Sequence, residues 1–287
     1  MRLIDSHCHL QADRFDADAD LVLGGARLAG VDRLLVPGWD RASGERALAL
    51  AERHPWLDAA VGVHPHDAAN VDDAAWAWFV ETAADPRVVA IGETGLDFDR
   101  GFSPPEAQLV NLRRNLAIAL ATGKPAILHC RSADGSRDAQ DTLLAELRGA
   151  GFGERPALAA FGGRAPAIVH SYSGPVDYAE AMLELGLAIS FSGLVFRPGE
   201  EASAIVARLV PAERLLVETD APFLSPPGTP RRRNEPEWVA ITAGWLAEQR
   251  REDPEALGEG LISAYDSVLQ RPAGRLRPQE GNPSATG

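Results

Sequence analysis

The feature that most constrains this chain is an eightfold alternation. Short runs rich in Val, Ile, Leu and Ala recur at residues 2–7, 31–38, 57–64, 88–95, 125–130, 167–171, 187–193 and 215–220. Longer stretches with apolar residues at helical spacing lie between them and after the last, at 17–28, 43–53, 72–84, 106–121, 138–149, 176–185, 201–209 and 237–250. Aliphatic runs alternating with helical patterns read as βα units, and successive βα units lay their strands parallel. Parallel strands need cover on both faces. Eight such units obtain it most simply by closing into a (β/α)8 barrel, an α/β fold with the helices outside. The competing arrangement is an open doubly wound sheet. Neither G-x-G-x-x-G nor G-x-x-x-x-G-K-S/T, the phosphate loops such sheets often carry after a strand, occurs here.

The 287 residues suit one barrel, and 45% hydrophobic residues supply its core. One domain is expected over residues 1–270. Residues 271–287 lack periodicity and are expected to be a disordered tail, and the Gly/Ala/Pro-rich stretch 151–166 an inserted loop. No run of about 18 apolar residues occurs, so no membrane span is expected. The start of the chain lacks the basic, apolar and cleavage segments of a secretion signal, and Cys8 and Cys130 are too few for a disulfide framework. The expectation is a cytoplasmic protein, monomeric by default, with no obligate protein partner. Its 28 basic and 41 acidic residues leave a net charge of −13, which argues against a non-specific DNA-coating protein. A cleft holding divalent cations would reverse that sign locally, so a nuclease remains compatible with it.

Histidine placement carries the chemistry. Five of the seven histidines fall at or just beyond the C-terminal end of an expected strand: His7 and His9, His64, His129 and His170. Glu93 lies late in the fourth strand and Asp220 closes the eighth. A barrel brings those ends to one rim, where imidazoles with carboxylates suit zinc, manganese or iron, and carboxylates with waters suit magnesium. In His7-x-His9, alternate residues of a strand point the same way, so both rings can face one ion while Cys8 packs elsewhere. A single histidine of this kind is more often part of a polar core network than a ligand. Five in register with two acids are hard to explain as packing. His54, before Pro55 at a helix end, fits a helix-dipole role, and His66 is open between steadying its loop and touching substrate.

These residues also spell a family. Asp5-Ser6-His7-Cys8-His9, Gly62-Val63-His64-Pro65-His66, Gly92-Glu93-Thr94-Gly95-Leu96-Asp97, His129-Cys130-Arg131, His170-Ser171-Tyr172-Ser173-Gly174, Glu218-Thr219-Asp220-Ala221-Pro222 and Arg233-Asn234-Glu235-Pro236 together resemble the TatD family of metal-dependent deoxyribonucleases. The resemblance runs from Ile4 to about Gln270. It implies two divalent ions (Mg, Mn or Zn), one held by His7, His9, Glu93 and Asp220, the other by Glu93, His129 and His170, with Glu93 bridging. It implies that His64 contacts the substrate phosphate. It also implies DNA as substrate, commonly single-stranded and cut from the 3′ end, with D-aminoacyl-tRNA as the alternative in some members. The sequence departs from the pattern at Ser171-Tyr172, in the long 151–166 stretch, and at Ala264-Tyr265-Asp266, where the family usually has an asparagine.

Two ions about 4 Å apart can share and acidify a water for in-line attack on phosphorus. Asp220, at a strand end, is the candidate to orient that nucleophile and accept its proton. Arg131, two residues past His129, is a candidate phosphate clamp, weighed evenly against a rim salt bridge. Arg231-Arg232-Arg233 follows the eighth strand on the active-site side, and Arg233 is the candidate contact to a nucleic-acid backbone. Asp97 and Glu218 are candidates to orient the ligands. A small-molecule amidohydrolase on the same barrel is the rival reading. Many of those bridge their ions with a carboxylated lysine, whereas the one lysine here, Lys124, precedes the fifth strand and so lies at the other end of the barrel. A barrel that has lost its chemistry is disfavoured, because all six ligand positions are filled.

Overall fold

The computed structural model describes residues 1–230 and 232–270; the tail expected over 271–287 lies outside them. The strands are β1 (Leu3–Asp5), β2 (Val31–Pro37), β3 (Leu57–Val61), β4 (Val88–Asp97), β5 (Ala126–Arg131), β6 (Ala167–Val169), β7 (Ala188–Phe191) and β8 (Leu215–Val217). They form one eight-stranded sheet in sequence order, with every adjacent pair parallel. The helices are α1 (Ala19–Leu28), α2 (Arg41–Arg53), α3 (Asp73–Thr82), α4 (Pro105–Thr122), α5 (Asp138–Gly149), α6 (Arg155–Ala160), α7 (Val176–Glu184), α8 (Ser203–Leu209), α9 (Val239–Arg250) and α10 (Pro254–Val268). Among the described residues no helix is long and apolar enough to cross a membrane.

The strands are buried on both faces, as β3 and β4 show along their whole lengths. Val, Ile, Leu and Ala fit that setting because they fill the barrel without polar atoms to satisfy. The barrel closes between β8 and β1 mainly above the strands: Ser6 N donates to Val217 O (3.0 Å), Asp220 N to His7 O (2.9 Å) and His9 N to Ala221 O (2.7 Å). The seam is therefore stitched by the residues that carry the candidate ligands.

Several elements differ from the sequence reading. Helix α10 has no counterpart among the expected helices, and β1, β6, β7 and β8 are shorter than the expected runs. Two further differences bear on the 151–166 stretch and the rim. The stretch 151–166 is not all loop: it contains α6, which starts after Glu154 and has Pro156 in its first turn, where the missing amide hydrogen costs nothing. Strand β4 runs two residues past the expected end, because Leu96 and Asp97 pair with Cys130 and Arg131 of β5. That extension carries Asp97 up to the rim.

Candidate metal centre

Glu93, on β4, lies at the middle of the polar cluster, 2% exposed. Its two carboxylate oxygens face different partners. Oε2 lies 3.2 Å from His7 Nε2 and 3.3 Å from His9 Nε2. Those two nitrogens are 3.2 Å apart, and Asp220 Oδ1 lies 3.8 Å and 3.6 Å from them. Oε1 lies 2.9 Å from His170 Nε2, 3.1 Å from His129 Nδ1 and 3.2 Å from His64 Nε2. The ends of β1, β3, β4, β5, β6 and β8 thus supply seven side chains to one cluster. Glycine makes the β4–β5 approach possible: Gly95 has φ +143°, and a β-carbon there would overlap the His129 carbonyl oxygen. Asp220 itself adopts a left-handed backbone (φ 53°), which an aspartate tolerates better than most residues and which turns the chain at the seam.

Hydrogen bonds behind the rings decide which nitrogen offers a lone pair. His9 Nδ1 faces the Pro37 carbonyl at 3.2 Å, an acceptor nearer than the Gln11 amide at 3.4 Å, which favours the tautomer with the proton on Nδ1 and a bare Nε2. The same holds for His170, whose Nδ1 faces Glu218 Oε1 at 3.2 Å. For His129 the roles are reversed in name only: Nε2 faces Asp97 Oδ2 at 3.3 Å, leaving Nδ1 bare toward Glu93. His64 is the opposite case. Its Nδ1 accepts the backbone amide of His66 at 3.1 Å, so its proton sits on Nε2 and points at Glu93. His64 is therefore a donor into the cleft, while His9, His129 and His170 each turn toward Glu93 a nitrogen that could ligate a cation.

This donor set fits divalent cations. Bare nitrogens such as His9 Nε2 and carboxylate oxygens converge here with too few protons to satisfy them, and only a cation answers several converging lone pairs at once. Before a cation is bound, the cluster recruits protons. Burial opposes a charge on His170, but Glu93 and Glu218 raise it well above its ordinary range. Burial likewise opposes ionisation of Glu93, and the neighbouring histidines, His170 foremost, hold it well below the carboxylate range. Burial pushes His7 and His64 down to about 4, so both rings are neutral at physiological pH. Burial pushes Asp220 up to about 7.

Around this centre is a cleft of about 850 Å³ whose walls include Trp39, Arg100, Phe102, Arg131 and Phe223. Arg131 reaches the cleft wall half exposed, with Nε on Asp99 Oδ2 at 2.7 Å. Arg233 is not brought to the cleft. Its guanidinium is clamped by Asp18 (2.8 Å twice) and Glu235 (2.7 Å) and lies over the Phe15 ring, so its donors are engaged in holding the β8–α1 corner. His66 places Nε2 2.8 Å from Asp97 Oδ2 and lines the cleft, whereas His54 lies at the C-terminal end of α2, 3.5 Å from Asp20, away from the cleft. Asp97 and Glu218 both touch rings of the cluster directly. Lys124 donates to the Ala83 and Asp85 carbonyls at 2.6 and 2.8 Å, far from the centre.

Three contributors have no role assigned from the sequence. Gln11 donates to the Pro37 carbonyl at 2.6 Å, beside His9, and nothing in its spacing marks it. Asp5 accepts from Thr219 N, Thr219 Oγ1 and His7 N, tying β1 to the Asp220 loop; it stood inside a motif but without a role. Phe223 stands half exposed at the cleft edge, its ring 6.1 Å from that of His9.

Comparison with known proteins places this centre in context. The family described as TatD related DNase matches residues 4–270. A 3′-5′ ssDNA/RNA exonuclease, TatD, of Erwinia billingiae is 38% identical over 280 residues, covering 94% of this chain and 100% of the relative. A metal-dependent hydrolase, YabD, of Bacillus subtilis is 34% identical over 246 residues, 86% of this chain and 90% of its own. Among solved structures, the TatD homologue YJJV of Escherichia coli superposes with a TM-score of 0.83 at 30% identity, covering 94% of this chain and 99% of that one. A TatD family hydrolase of Entamoeba histolytica, at 20% identity and TM-score 0.82, shares the fold over 95% and 99%.

Proposed function

The chain belongs to the TatD-related DNase family of metal-dependent hydrolases, and from that premise we propose that it is a 3′-5′ exonuclease on single-stranded DNA working with two divalent ions. The observation that carries the reading is Glu93, whose two oxygens face two separate groups of imidazole nitrogens. One ion would be held by His7, His9, Asp220 and Glu93 Oε2, the other by His129, His170 and Glu93 Oε1. Bound there, the ions supply Lewis acidity and an activated water. The polarity and the strand preference are supported by the name of the Erwinia billingiae relative at 38% identity.

The protein's own groups divide the remaining work. His64, neutral and with its proton on Nε2, donates to a phosphoryl oxygen and stabilises the charge that grows there. Asp220, just beyond the end of β8 with Oδ1 3.8 and 3.6 Å from the His7 and His9 Nε2 atoms, orients the nucleophile and takes its proton. Arg131 needs only to leave a half-exposed contact with Asp99 to reach a phosphate, a small cost for a surface ion pair. Asp97 and Glu218 hold His129 and His170 in the tautomers that ligation requires.

The test is cleavage of 3′-labelled and 5′-labelled single-stranded DNA with Mg²⁺, Mn²⁺ and Zn²⁺ in turn, with Asp220→Ala as the control for contaminating nuclease. Stepwise shortening from the 3′ end, lost in the variant, is expected. Bound metal without cleavage of DNA would overturn the substrate assignment and move it to esters and amides on the same centre.

A further inference from the structure

A second cavity, of about 630 Å³, opens beside the metal cleft and shares Phe223 and Leu224 with it. Its floor is apolar, built from Phe196, Pro222 and Pro226, and its margin carries Arg14, Arg197 and Arg232. All three arginines are exposed. Among the described residues none of the three forms an ion pair, whereas Arg233 next to them is held by two carboxylates. Three unneutralised cations around one groove stand out on a protein of net charge −13. Behind the wall, the Leu224 carbonyl packs so closely on Gly193 that a β-carbon there would overlap it. Phe223 stands between the two cavities, 53% exposed, with its ring open to a flat ligand.

We propose that this groove is a track for the part of a single nucleic-acid strand that stays bound on the retained side of the scissile phosphodiester. A base stacks on Phe223, and backbone phosphates lie along Arg197, Arg232 and Arg14. The proposal rests on the nuclease reading above and adds where the strand runs. An exposed aromatic flanked by cations is the arrangement that grips single strands without regard to sequence, since every base offers a π-face and every phosphate a charge. A duplex would keep its bases stacked on one another and leave Phe223 unused. The groove also meets the ligand cluster at Phe223, whose ring lies 6.1 Å from that of His9.

The test is fluorescence anisotropy of labelled dT12 with the full chain in chelator, where nothing is cleaved. Arg197→Gln combined with Arg232→Gln is expected to weaken binding and to flatten the slope of log K against log salt by about 1.4, roughly 0.7 for each lost phosphate contact. Phe223→Ala is expected to weaken binding about tenfold with the slope unchanged, as loss of stacking does. Arg148→Gln, which removes the same charge from the end of α5, controls for net charge and should bind as the wild type. The loss should be larger for dT12 than for a dinucleotide, which is too short to fill the groove. Wild-type affinity and salt slope in the double variant would overturn the track, as would competition by polyglutamate as effective as that by unlabelled dT12. If the wild type binds dT12 with these dependences yet cuts no DNA with any ion, the exonuclease reading fails and the track stands.

Discussion

The two ends of the barrel use the same kinds of side chain to opposite effect. At the N-terminal end every charged or polar group named here is matched. Tyr265 donates to buried Asp58 at 2.8 Å, and Lys124 caps two carbonyls. Arg164 reaches the Val268 and Gly123 carbonyls at 3.0 and 2.9 Å, and Arg2 pairs with Asp32 and Glu259. At the C-terminal end, buried carboxylates meet imidazoles whose free lone pairs point at one another. The first end is complete as a protein; the second is completed by cations. Stability and function are thus separated along the strand direction, and substitutions at the two ends should have effects of different kinds.

The sharpest way to break that comparison is Glu93→Ala. Because both groups of nitrogens share this one carboxylate, the variant should lose at least one bound ion and activity by at least on the order of 10³-fold, read by metal analysis and by DNA cleavage. Full activity would sink the two-site assignment. A smaller effect is expected one step back, at Glu218→Gln and Asp97→Asn. Each weakens the acceptor that fixes a ring's tautomer, which should lower metal affinity about 10- to 100-fold. An unchanged affinity in both would mean that the tautomers are set elsewhere.

Thermal stability separates the ends further. A chelator should lower the wild-type Tm, since ions at a hundredfold excess over Kd contribute about 2.7 kcal/mol, and it should lower the Tm of Glu93→Ala by less. Tyr265→Phe should do the reverse. It strips a donor from buried Asp58, at a cost of about 1–3 kcal/mol, while metal affinity stays at the wild-type value. A Tyr265→Phe protein with weakened metal binding would show that the two ends are coupled.

Most of this division was legible in the sequence because it is written in periodicity and in position along strands. Eight aliphatic runs specify the barrel, and the barrel alone explains why His7 and Asp220 meet across more than 200 residues. What the sequence did not carry was local. The two oxygens of Glu93 could be assigned to different partners only with coordinates, and so could the tautomers, which depend on Pro37 and Gln11 as much as on the histidines. The segment 264–266, where the sequence departs from the family pattern, is a further case. Its Tyr265 reaches Asp58 across 207 residues, a contact with no sequence signal. The same limit applied to charge runs: Arg231-Arg232-Arg233 reads as one basic patch, yet Arg232 borders a groove while Arg233 is tied down.

The smallest expected effects test that last distinction, between an arginine that is free to work and one that is not. From the sequence Arg131 and Arg233 are equally plausible phosphate contacts, one at the end of β5 and the other in the long segment after β8. Arg131 keeps one half-exposed partner, Asp99, and an exposed pair of this kind is worth no more than about 1 kcal/mol. A phosphate can therefore outbid the carboxylate, and Arg131→Gln should raise KM for single-stranded DNA a few-fold with little change in Tm. Arg233 makes two bonds to Asp18 and others to Glu235, and it covers the ring of buried Phe15. Leaving that site would abandon two carboxylates and uncover an aromatic face, so a phosphate gains nothing by competing for it. Arg233→Gln should accordingly lower Tm and move KM far less than Arg131→Gln does. If steady-state kinetics gave the opposite order, the cleft would extend toward α1, and the salt bridges at that corner would be a resting state that substrate opens.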